Sequence, residues 1–500
     1  MRFFERFLDG VEWLGNKLPH PFMLFIYLAL VVILLSWIAS LFGASVQEPG
    51  TGEEVAVQNM LSGDGVAFIF TSMVTNFVEF PPLGLVITIL LGIGLAQQVG
   101  LIGAFMRKVI ISAPRSLVTY AVIFAGIIGS WASDAATIII PPLAGTVFLS
   151  MGRNPLAGIA VGFAGVSAGF NANLLIAGTD VLLSGISTDA AQSVNENITV
   201  TPLDNLYFIN ASVFFLMVVG AVVTERIVEP RLGQYQGDVQ EQDLEEVTSQ
   251  ENRGLRNALI AALAFTAVMV LSVLPSGSPL RGEDGAILDS PLINGIVPIL
   301  LLFFIVVAIA YGITLGQITT AADVPNLMAE SAKSMAGLIV LFFAASQFIA
   351  YFQYSNLATW LAVTGADFLE SINLTGLPLV LAFIGVVSVL NLFIVSGSAQ
   401  WALMAPIFVP LFLFLDYNPA YTQLAFRIAD SSTNIITPMN VFVPMVLGFM
   451  QQYDEEAGFG TLFAVMLPYT IFFLVSWTLL FIVWSLLGLP IGPGVSQRVG

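Results

Sequence analysis

The stretch GSWASDAATIIIPP, residues 129–142, places two serines, an aspartate and a tryptophan inside a long apolar region. It lies in the interval between Arg115 and Arg153, which are separated by 37 residues. Two membrane crossings need about 20 residues each plus a turn, so the interval is too short for two full spans. Both arginines are expected on the cytoplasmic side, where Lys and Arg collect. The interval therefore predicts a re-entrant hairpin, about residues 116–152, with its polar tip near Ser133 and Asp134.

The composition defines the class of protein. Hydrophobic residues occupy 57% of the 500 positions and charged residues only 10%. The apolar blocks are far longer than the helices of a soluble core, and they lack the alternating pattern of barrel strands. Because hydrocarbon does not tolerate lipid-exposed irregular backbone, the spans must be helices. The sequence thus predicts an all-α polytopic membrane protein with about nine transmembrane helices and two re-entrant hairpins.

Several chemical classes are disfavoured. The chain has no cysteine and a single histidine, His20, which precedes the first span, so thiolate chemistry and histidine metal clusters are not expected. The formal net charge is −18, but the acidic residues collect in segments such as residues 236–254, a pattern typical of solvated loops. We expect the lipid bilayer as a partner, no nucleic acid and no organic cofactor.

The positive charges orient the spans, because Lys and Arg collect in cytoplasmic loops. Arg2, Arg6 and Lys17 put the N-terminus in the cytoplasm, and residues 45–64, which contain neither Lys nor Arg, are expected outside. A second span, roughly Leu83 to Ala104, returns to a positively charged cytoplasmic turn.

A group of arginines marks a cytoplasmic linker, about residues 230–256, between a first half (1–229) and a second half (257–500). The C-terminus is expected outside, and the location is expected to be a bacterial inner membrane. Further spans are predicted at Leu255–Val273, Pro291–Ile313 and Gly337–Tyr354.

The second half repeats features of the first half. Identical residues stand 264 positions apart at Pro142 and Pro406, Asn154 and Asn418, Pro155 and Pro419, and Ser167 and Ser431. The matching segment predicts a second hairpin, about residues 374–416. The positive charges place the entrance of the first hairpin inside and that of the second outside. Weak internal similarity with inverted topology is the sequence signature of a secondary transporter.

Each predicted hairpin precedes an apolar segment that small polar residues interrupt. The first segment, about residues 155–187, contains AGVSAGFNANLLIAGTD, and the second, about residues 419–448, contains RIADSSTNIITPMN. Both predict broken helices, whose free N–H groups suit an anion and whose free C=O groups suit a cation. The side-chain oxygens near the breaks and hairpin tips are hard ligands that suit sodium. The predicted sodium-site residues are Ser133, Asp134, Asn171, Asn173, Ser396, Ser398, Asp430, Ser431 and Asn434. The alternative is that these small residues only allow close helix packing.

The paired hairpins and broken helices resemble those of the ion transporter superfamily. The segments GSWASDAATIIIPP, FNANLLIAGTD and SSTNIITPMN resemble motifs of the AbgT family, the p-aminobenzoyl-glutamate transporters, and the resemblance covers essentially the full length. It implies a homodimer and a small aromatic anionic solute, either p-aminobenzoyl-glutamate taken up or a sulfonamide-type antimetabolite exported. The transport residues that the resemblance implies are Asp180, Asn391, Trp401, Pro419 and Arg427.

Three of these residues also have a structural interpretation. Arg427 lies about 12 Å along its helix from Pro419, near mid-membrane, where a charge costs at least about 2.5 kcal/mol. It is predicted to bind a substrate carboxylate or sulfonyl oxygen, the alternative being a pair with Asp430 at i+3. Asp180 is predicted to carry a proton, the alternative being an aspartate one turn from the outer interface. Trp401 is predicted to stack on an aryl ring, the alternative being an interfacial anchor.

The sequence favours proton-coupled export of antimetabolites, because Asp180 stands apart from the oxygen clusters and would otherwise have no partner. Sodium would then be a structural or co-coupling ion. The alternative is sodium-coupled uptake of p-aminobenzoyl-glutamate. An intramembrane aspartyl protease has no need of duplicated hairpins, and two symmetric breaks suit alternating access better than a channel. No enzymatic activity is therefore expected.

Overall fold

A computed structural model describes residues 19–47, 52, 54–129, 134–237, 247–282, 285–287, 290–333, 335–394, 396–437 and 440–499. Within these residues eight helical stretches of at least 18 residues are apolar enough for a membrane, among them Gly397–Phe414, or nine if the bent pair Leu101–Ile111 and Arg115–Gly129 is counted as one. Strands β1 (Ser45–Gln47) and β2 (Glu54–Ala56) form a short antiparallel pair. The prediction of an all-α polytopic membrane protein is confirmed.

The helices begin where the sequence supplies a start signal. Proline occupies the first turn of four helices. A backbone N–H in this position would have no acceptor within the helix, so proline costs no hydrogen bond there. The helices before the predicted linker are α1 (Pro21–Leu41), α2 (Gly63–Val78), α3 (Pro81–Gln98), α4 (Leu101–Ile111), α5 (Val118–Gly129), α6 (Asp134–Ser150), α7 (Pro155–Phe163), α8 (Gly178–Gln192), α9 (Leu206–Val223) and α10 (Glu229–Leu232). Those after it are α11 (Ser249–Val273), α12 (Pro291–Asn294), α13 (Ile296–Leu315), α14 (Asp323–Lys333), α15 (Ala336–Tyr354), α16 (Leu357–Ser371), α17 (Gly376–Asn391), α18 (Gly397–Phe414), α19 (Pro419–Thr433), α20 (Val443–Gln451) and α21 (Phe459–Leu486).

The predicted second span, Leu83 to Ala104, has the wrong bounds. Helix α3 ends at Gln98, and Gly100 adopts a φ of +80° that a helix interior does not allow. The sequence interpretation also missed α2, which Ser62 caps by accepting a hydrogen bond from the Gly65 N–H at 3.1 Å. Helices α2 and α3 together make one apolar stretch of 36 residues.

Two helical hairpins occupy the segments that were predicted to be re-entrant. The first hairpin consists of α5 and α6, and the second hairpin consists of α17 and α18. Their arms have 12, 17, 16 and 18 residues, which at about 1.5 Å per residue gives lengths of about 18 to 27 Å. Each arm is therefore shorter than the ~30 Å hydrocarbon core of a bilayer. The first tip, residues 130–133, lies outside the described residues.

Two broken helices follow the hairpins. The first broken helix runs from α7 through a π-helical turn (Ala164–Ala168) and an unwound segment, residues 169–177, to α8. The second broken helix consists of α19, a non-helical segment described at residues 434–437 and 440–442, and α20. Asn154 caps α7 by accepting the Leu156 N–H at 3.0 Å, and Asn418 caps α19 by accepting the Ala420 N–H at 2.9 Å. The same cap thus recurs at the offset of 264 residues, while the inversion of the repeat stays a prediction.

Helix α21 runs between the regions in which the two hairpins end. It has 28 residues, so it rises about 42 Å. Shortly before it, the Tyr453 hydroxyl lies 3.3 Å from the Thr146 hydroxyl near the end of the first hairpin. Beyond its other end, the Gln497 carbonyl accepts the Asn418 N–H at 3.0 Å, just after the second hairpin. The exits of the two hairpins are therefore connected to opposite ends of one long helix.

Candidate functional site

A cavity of about 450 Å³ lies where the hairpins meet the broken helices. Its wall includes Thr137 of α6, the unwound part of the first broken helix, the tip of the second hairpin and the unwound part of the second broken helix. Elements distant in the sequence thus converge at one place. The cavity is lined by five of the predicted sodium-site residues, Asn171, Ser396, Ser398, Asp430 and Asn434.

Asp430 brings a carboxylate to this wall, although the residue is only 2% exposed. Its Oδ2 accepts a hydrogen bond from Asn171 Nδ2 at 2.9 Å, whereas its Oδ1 has no hydrogen-bond partner within the described chain. A Cβ added to Gly397, the first residue of α18, would lie 2.8 Å from Asp430 Oδ2. The N-terminus of α18 therefore adjoins the carboxylate, and the positive end of its dipole favours a negative charge there. A buried carboxylate with a single donor still needs a proton or a cation, because burying an isolated charge is costly.

Asn171 connects the two broken helices. Its backbone N–H donates to Ser431 Oγ at 3.1 Å, and its Nδ2 donates to the Arg427 carbonyl at 3.3 Å as well as to Asp430. Its Oδ1 is buried without a hydrogen-bond partner in the described chain. Asn171 and Asp430 both line the cavity, and each has one buried oxygen without a hydrogen-bond partner in the described chain. Such oxygens are hard ligands that suit sodium.

Two hydroxyl groups at the start of α18 also line the cavity. Ser396 caps α18 by accepting the Ala399 N–H at 3.4 Å, and its hydroxyl lies 3.0 Å from that of Ser398. Asn434 ends α19, and its Oδ1 accepts a hydrogen bond from Asn391 at 3.0 Å. These groups extend the set of oxygens that could hold a cation near Asp430.

The remaining predicted sodium-site residues do not line the cavity in the part of the chain that is described. Ser431 is buried and serves as the acceptor for the Asn171 N–H. Asn173 is fully buried within the unwound segment of the first broken helix. Ser133 and the side chain of Asp134 lie outside the described residues, so their predicted roles stay predictions.

Arg427 and Asp180 form an ion pair in the interior, and both side chains are only 1% exposed. Asp180 Oδ1 accepts a hydrogen bond from Arg427 Nη2, and Asp180 Oδ2 accepts the Ala177 N–H at 2.6 Å at the start of α8. Arg427 Nε and Nη1 have no hydrogen-bond partner within the described chain. The pair adjoins the cavity, because Thr179 lines the wall.

This pair corrects two sequence-based interpretations. Asp180 is not without a partner, and the ion-pair partner of Arg427 is Asp180 and not Asp430. The distance of Asp180 from the outer interface stays a prediction. The i+3 spacing reports only neighbours on one helix. It carries no information on the start of α8, which packs against α19 in the folded protein.

Trp401 is fully buried, so its interpretation as an interfacial anchor is wrong. Its ring lies 4.7 Å from that of Phe426, centroid to centroid, and its Nε1 donates to Ser187 Oγ at 3.0 Å. In this conformation the indole packs between α8 and α19. Stacking on a substrate ring would require these helices to separate, and it stays a prediction.

Asn391 and Pro419 lie at the two ends of α19. Asn391 Nδ2 donates to the Asp430 carbonyl at 2.6 Å and to Thr433 Oγ1 at 2.8 Å. Pro419 is the buried first residue of α19. Both residues therefore act on the position of Asp430 and Arg427 without lining the cavity.

A buried polar chain behind Trp401 was missed by the sequence interpretation. Ser187 Oγ donates to Gln423 Oε1 at 2.7 Å, and Gln423 Nε2 donates to Asn205 Oδ1 at 3.2 Å. Gln423 precedes Arg427 by one helical turn, so the two polar residues share one face of α19. That spacing is the signal that could have identified Gln423.

Comparisons with known proteins identify the family. The family described as "AbgT putative transporter family" matches residues 6–499. The p-aminobenzoyl-glutamate transport protein of Escherichia coli (strain K12) is 46% identical over 493 residues, which cover 98% of this chain and 96% of that protein.

Two solved structures share the fold. The first is the crystal structure of the Alcanivorax borkumensis YdaH transporter, whose sequence is 38% identical to this chain. The match has a TM-score of 0.90 and covers 95% of this chain and 100% of that chain. The structure of Neisseria gonorrhoeae MtrF, reported for a class of antimetabolite efflux pumps, is 41% identical, with a TM-score of 0.92 over 98% of this chain and 100% of that chain. The sequence-based resemblance is therefore confirmed, and this chain belongs to the AbgT family of membrane transporters.

Proposed function

We propose that this protein exports small aromatic anions, of the p-aminobenzoyl-glutamate or sulfonamide kind, in exchange for protons that Asp430 takes up. The solute class is supported by the likeness to the Escherichia coli transport protein, and export by the likeness to MtrF. The single observation that carries the coupling role is the buried carboxylate of Asp430, a residue of the central cavity wall whose Oδ1 has no hydrogen-bond partner in the described chain.

Asp430 suits proton coupling better than Asp180 does. Asp180 is neutralised by Arg427 and also caps α8, so protonating it would leave the arginine charge buried and unpaired. Asp430 has one side-chain donor, Asn171, and lines the cavity. A proton or cation can therefore reach it and compensate its charge without breaking an ion pair.

Arg427 supplies the group that would recognise the anion. Its Nε and Nη1 are buried without hydrogen-bond partners in the described chain, and a guanidinium binds a carboxylate or sulfonyl group through two parallel hydrogen bonds. In this conformation the Asp180 ion pair occupies Nη2. We infer that the substrate anion competes with Asp180 for Arg427 when the cavity opens to it.

The test is flux of radiolabelled p-aminobenzoyl-glutamate and of a sulfonamide in proteoliposomes, under proton and sodium gradients imposed separately. Asp430→Asn keeps the size of the side chain but fixes it in a neutral form. We expect it to abolish flux driven by the pH gradient and to retain substrate binding. The matched control is Asp189→Asn on α8, which lies outside the cavity lining and should transport normally. Normal pH-driven flux in Asp430→Asn would refute the coupling role.

Sodium-coupled uptake of p-aminobenzoyl-glutamate is the second candidate. The observation that favours it is the pair of unpaired oxygens, Asn171 Oδ1 and Asp430 Oδ1, on one cavity that Ser396 and Ser398 also line. In that case a sodium gradient alone should drive accumulation inside the liposomes. Asn171→Ala should then raise the sodium concentration needed for half-maximal flux.

We also propose a homodimer in a bacterial inner membrane, with a cytoplasmic N-terminus and an external C-terminus. The family resemblance supports the dimer, and the distribution of Lys and Arg supports the orientation. Light scattering of the purified protein after size-exclusion chromatography tests the assembly. A mass of one protomer plus its detergent would refute it.

A further inference from the structure

A second cavity of about 460 Å³ opens between two pairs of helices, away from the central cavity. Leu101 and Phe105 of α4 form one side, and Leu259 of α11 with Phe303 and Val307 of α13 forms the other. The lining is apolar along most of its length. We call this cavity the α4–α11 groove.

Two basic residues stand at one end of the α4–α11 groove. Lys108 of α4 and Arg256 of α11 both line it and are both exposed, and Asn252 lies one turn before Arg256. Within the described chain neither basic residue forms an ion pair. The neighbouring Arg107, by contrast, is paired with Glu251. The groove thus has two positive charges without an ion-pair partner at one end and apolar side chains along the rest.

The polarity changes along the direction of the membrane normal. From Arg256 to Ala262, which also lines the groove, α11 rises about 9 Å away from its charged end. The lining also includes Leu175, a 41% exposed residue in the unwound segment of the first broken helix. The Lys and Arg distribution puts the charged end at the cytoplasmic face, where the inner leaflet carries anionic lipids.

We propose that the α4–α11 groove binds an anionic phospholipid of the inner leaflet. Lys108 and Arg256 hold the phosphate, and one acyl chain lies along the apolar walls as far as Leu175. A free phosphate would leave the apolar length unfilled, and an apolar protein surface would leave two positive charges without a counterion. A lipid with a negative headgroup satisfies both parts of the groove. Leu175 is two residues after Asn173, so the bound chain would contact the segment that must rearrange during transport.

The test is native mass spectrometry of the purified full-length protein, titrated with phosphatidylglycerol or with phosphatidylcholine of the same chain length. Each basic residue near an anionic lipid strengthens binding about fivefold, so Lys108→Gln with Arg256→Gln should weaken phosphatidylglycerol binding about 30-fold. The matched control is Arg253→Gln with Lys333→Gln, which removes the same charge from exposed sites outside the groove lining. That control should bind as the native protein does.

A second variant tests the acyl-chain part of the groove without changing charge. Ala262→Phe fills the groove, so it should weaken phosphatidylglycerol binding while both basic residues remain. Equal binding of the two lipids by the native protein would overturn the proposal, as would an equal loss in the control. It would also be overturned if the groove variants changed the protomer number without changing the bound lipid, which would make the groove an interface between two copies of the chain.

Discussion

The buried ion pair between Arg427 and Asp180 makes a sharp prediction about stability. Both side chains are 1% exposed, so replacing Arg427 by Met leaves the Asp180 carboxylate buried and unpaired. Breaking a buried pair in this way costs about 3–5 kcal/mol, whereas replacing both partners by apolar residues is often close to neutral. We therefore expect Arg427→Met to be strongly destabilised, and Arg427→Met with Asp180→Leu to recover most of that loss. About 1 kcal/mol should remain, because the leucine cannot accept the Ala177 N–H as Asp180 does.

The assay is unfolding of the purified protein in mixed micelles by increasing SDS, followed by tryptophan fluorescence. The matched control is the pair Lys333–Glu330, whose side chains are 72% and 55% exposed. Because water screens such a pair, Lys333→Met should cost only about 0.2–1 kcal/mol. If Arg427→Met does not fold at all, recovery of a monodisperse elution peak in the double variant gives the same information.

The double variant also separates structure from transport. If Arg427 binds the substrate anion, the folded double variant should show no flux of p-aminobenzoyl-glutamate, since the guanidinium is gone. Native stability in Arg427→Met alone would refute the argument from buried charge. Full transport by the double variant would show that Arg427 serves only to neutralise Asp180.

Three further predictions concern topology, the central cavity and the helix caps. Cysteines introduced at Met151 and at Tyr417 should label from opposite sides of the membrane, and labelling from one side would remove the inverted repeat. Gly397→Ala should reduce flux severely without loss of folded protein, because its Cβ would lie 2.8 Å from a carboxylate oxygen; Gly385→Ala, where a Cβ meets nothing within 4 Å, should transport normally. Asn418→Ala removes the cap of α19 and should lower the free energy of unfolding by about 1 kcal/mol in the SDS assay.

The hairpins and breaks were predictable because they follow from membrane thickness and local chemistry. The interval between Arg115 and Arg153 is too short for two spans, and the structure has two arms shorter than the hydrocarbon core there. Asn154 and Asn418 precede prolines, which is a start signal for a helix, and both cap the helices that follow. Such features depend on a few adjacent residues and on the length of the segment.

Other features depend on contacts between distant segments, which one sequence does not encode in its spacing. Asp180 and Arg427 are 247 residues apart, and the local i+3 rule pointed to Asp430 instead. Trp401 was expected at a substrate or an interface, but only the packing of α8 against α19 shows that its ring is buried. Helix α2 was not predicted because the polar residues of TSMVTN, residues 71–76, interrupt its apolar stretch, unlike the block that follows Pro81.

The asparagines of the two breaks illustrate why sequence alone could not choose between a packing role and a ligand role. An amide group has two donor hydrogens and an acceptor oxygen, so its two ends can serve different needs. The nitrogens donate to carbonyls at and near the end of α19, with Asn171 donating to Arg427, Asn391 to Asp430 and Asn440 to Asn434. The Asp430 carbonyl is among the last four of the helix, which have no helical partner. The oxygens of Asn171 and Asn391 remain unpaired within the described chain. One amide therefore closes the broken helix with its nitrogen and leaves its oxygen available, and at Asn171 that oxygen belongs to a residue on the cavity wall.

An alanine at position 171 would remove both functions at once, whereas an aspartate would keep an oxygen and lose the donor. Comparing Asn171→Ala with Asn171→Asp thus separates the structural need for the amide from its service as a cation ligand.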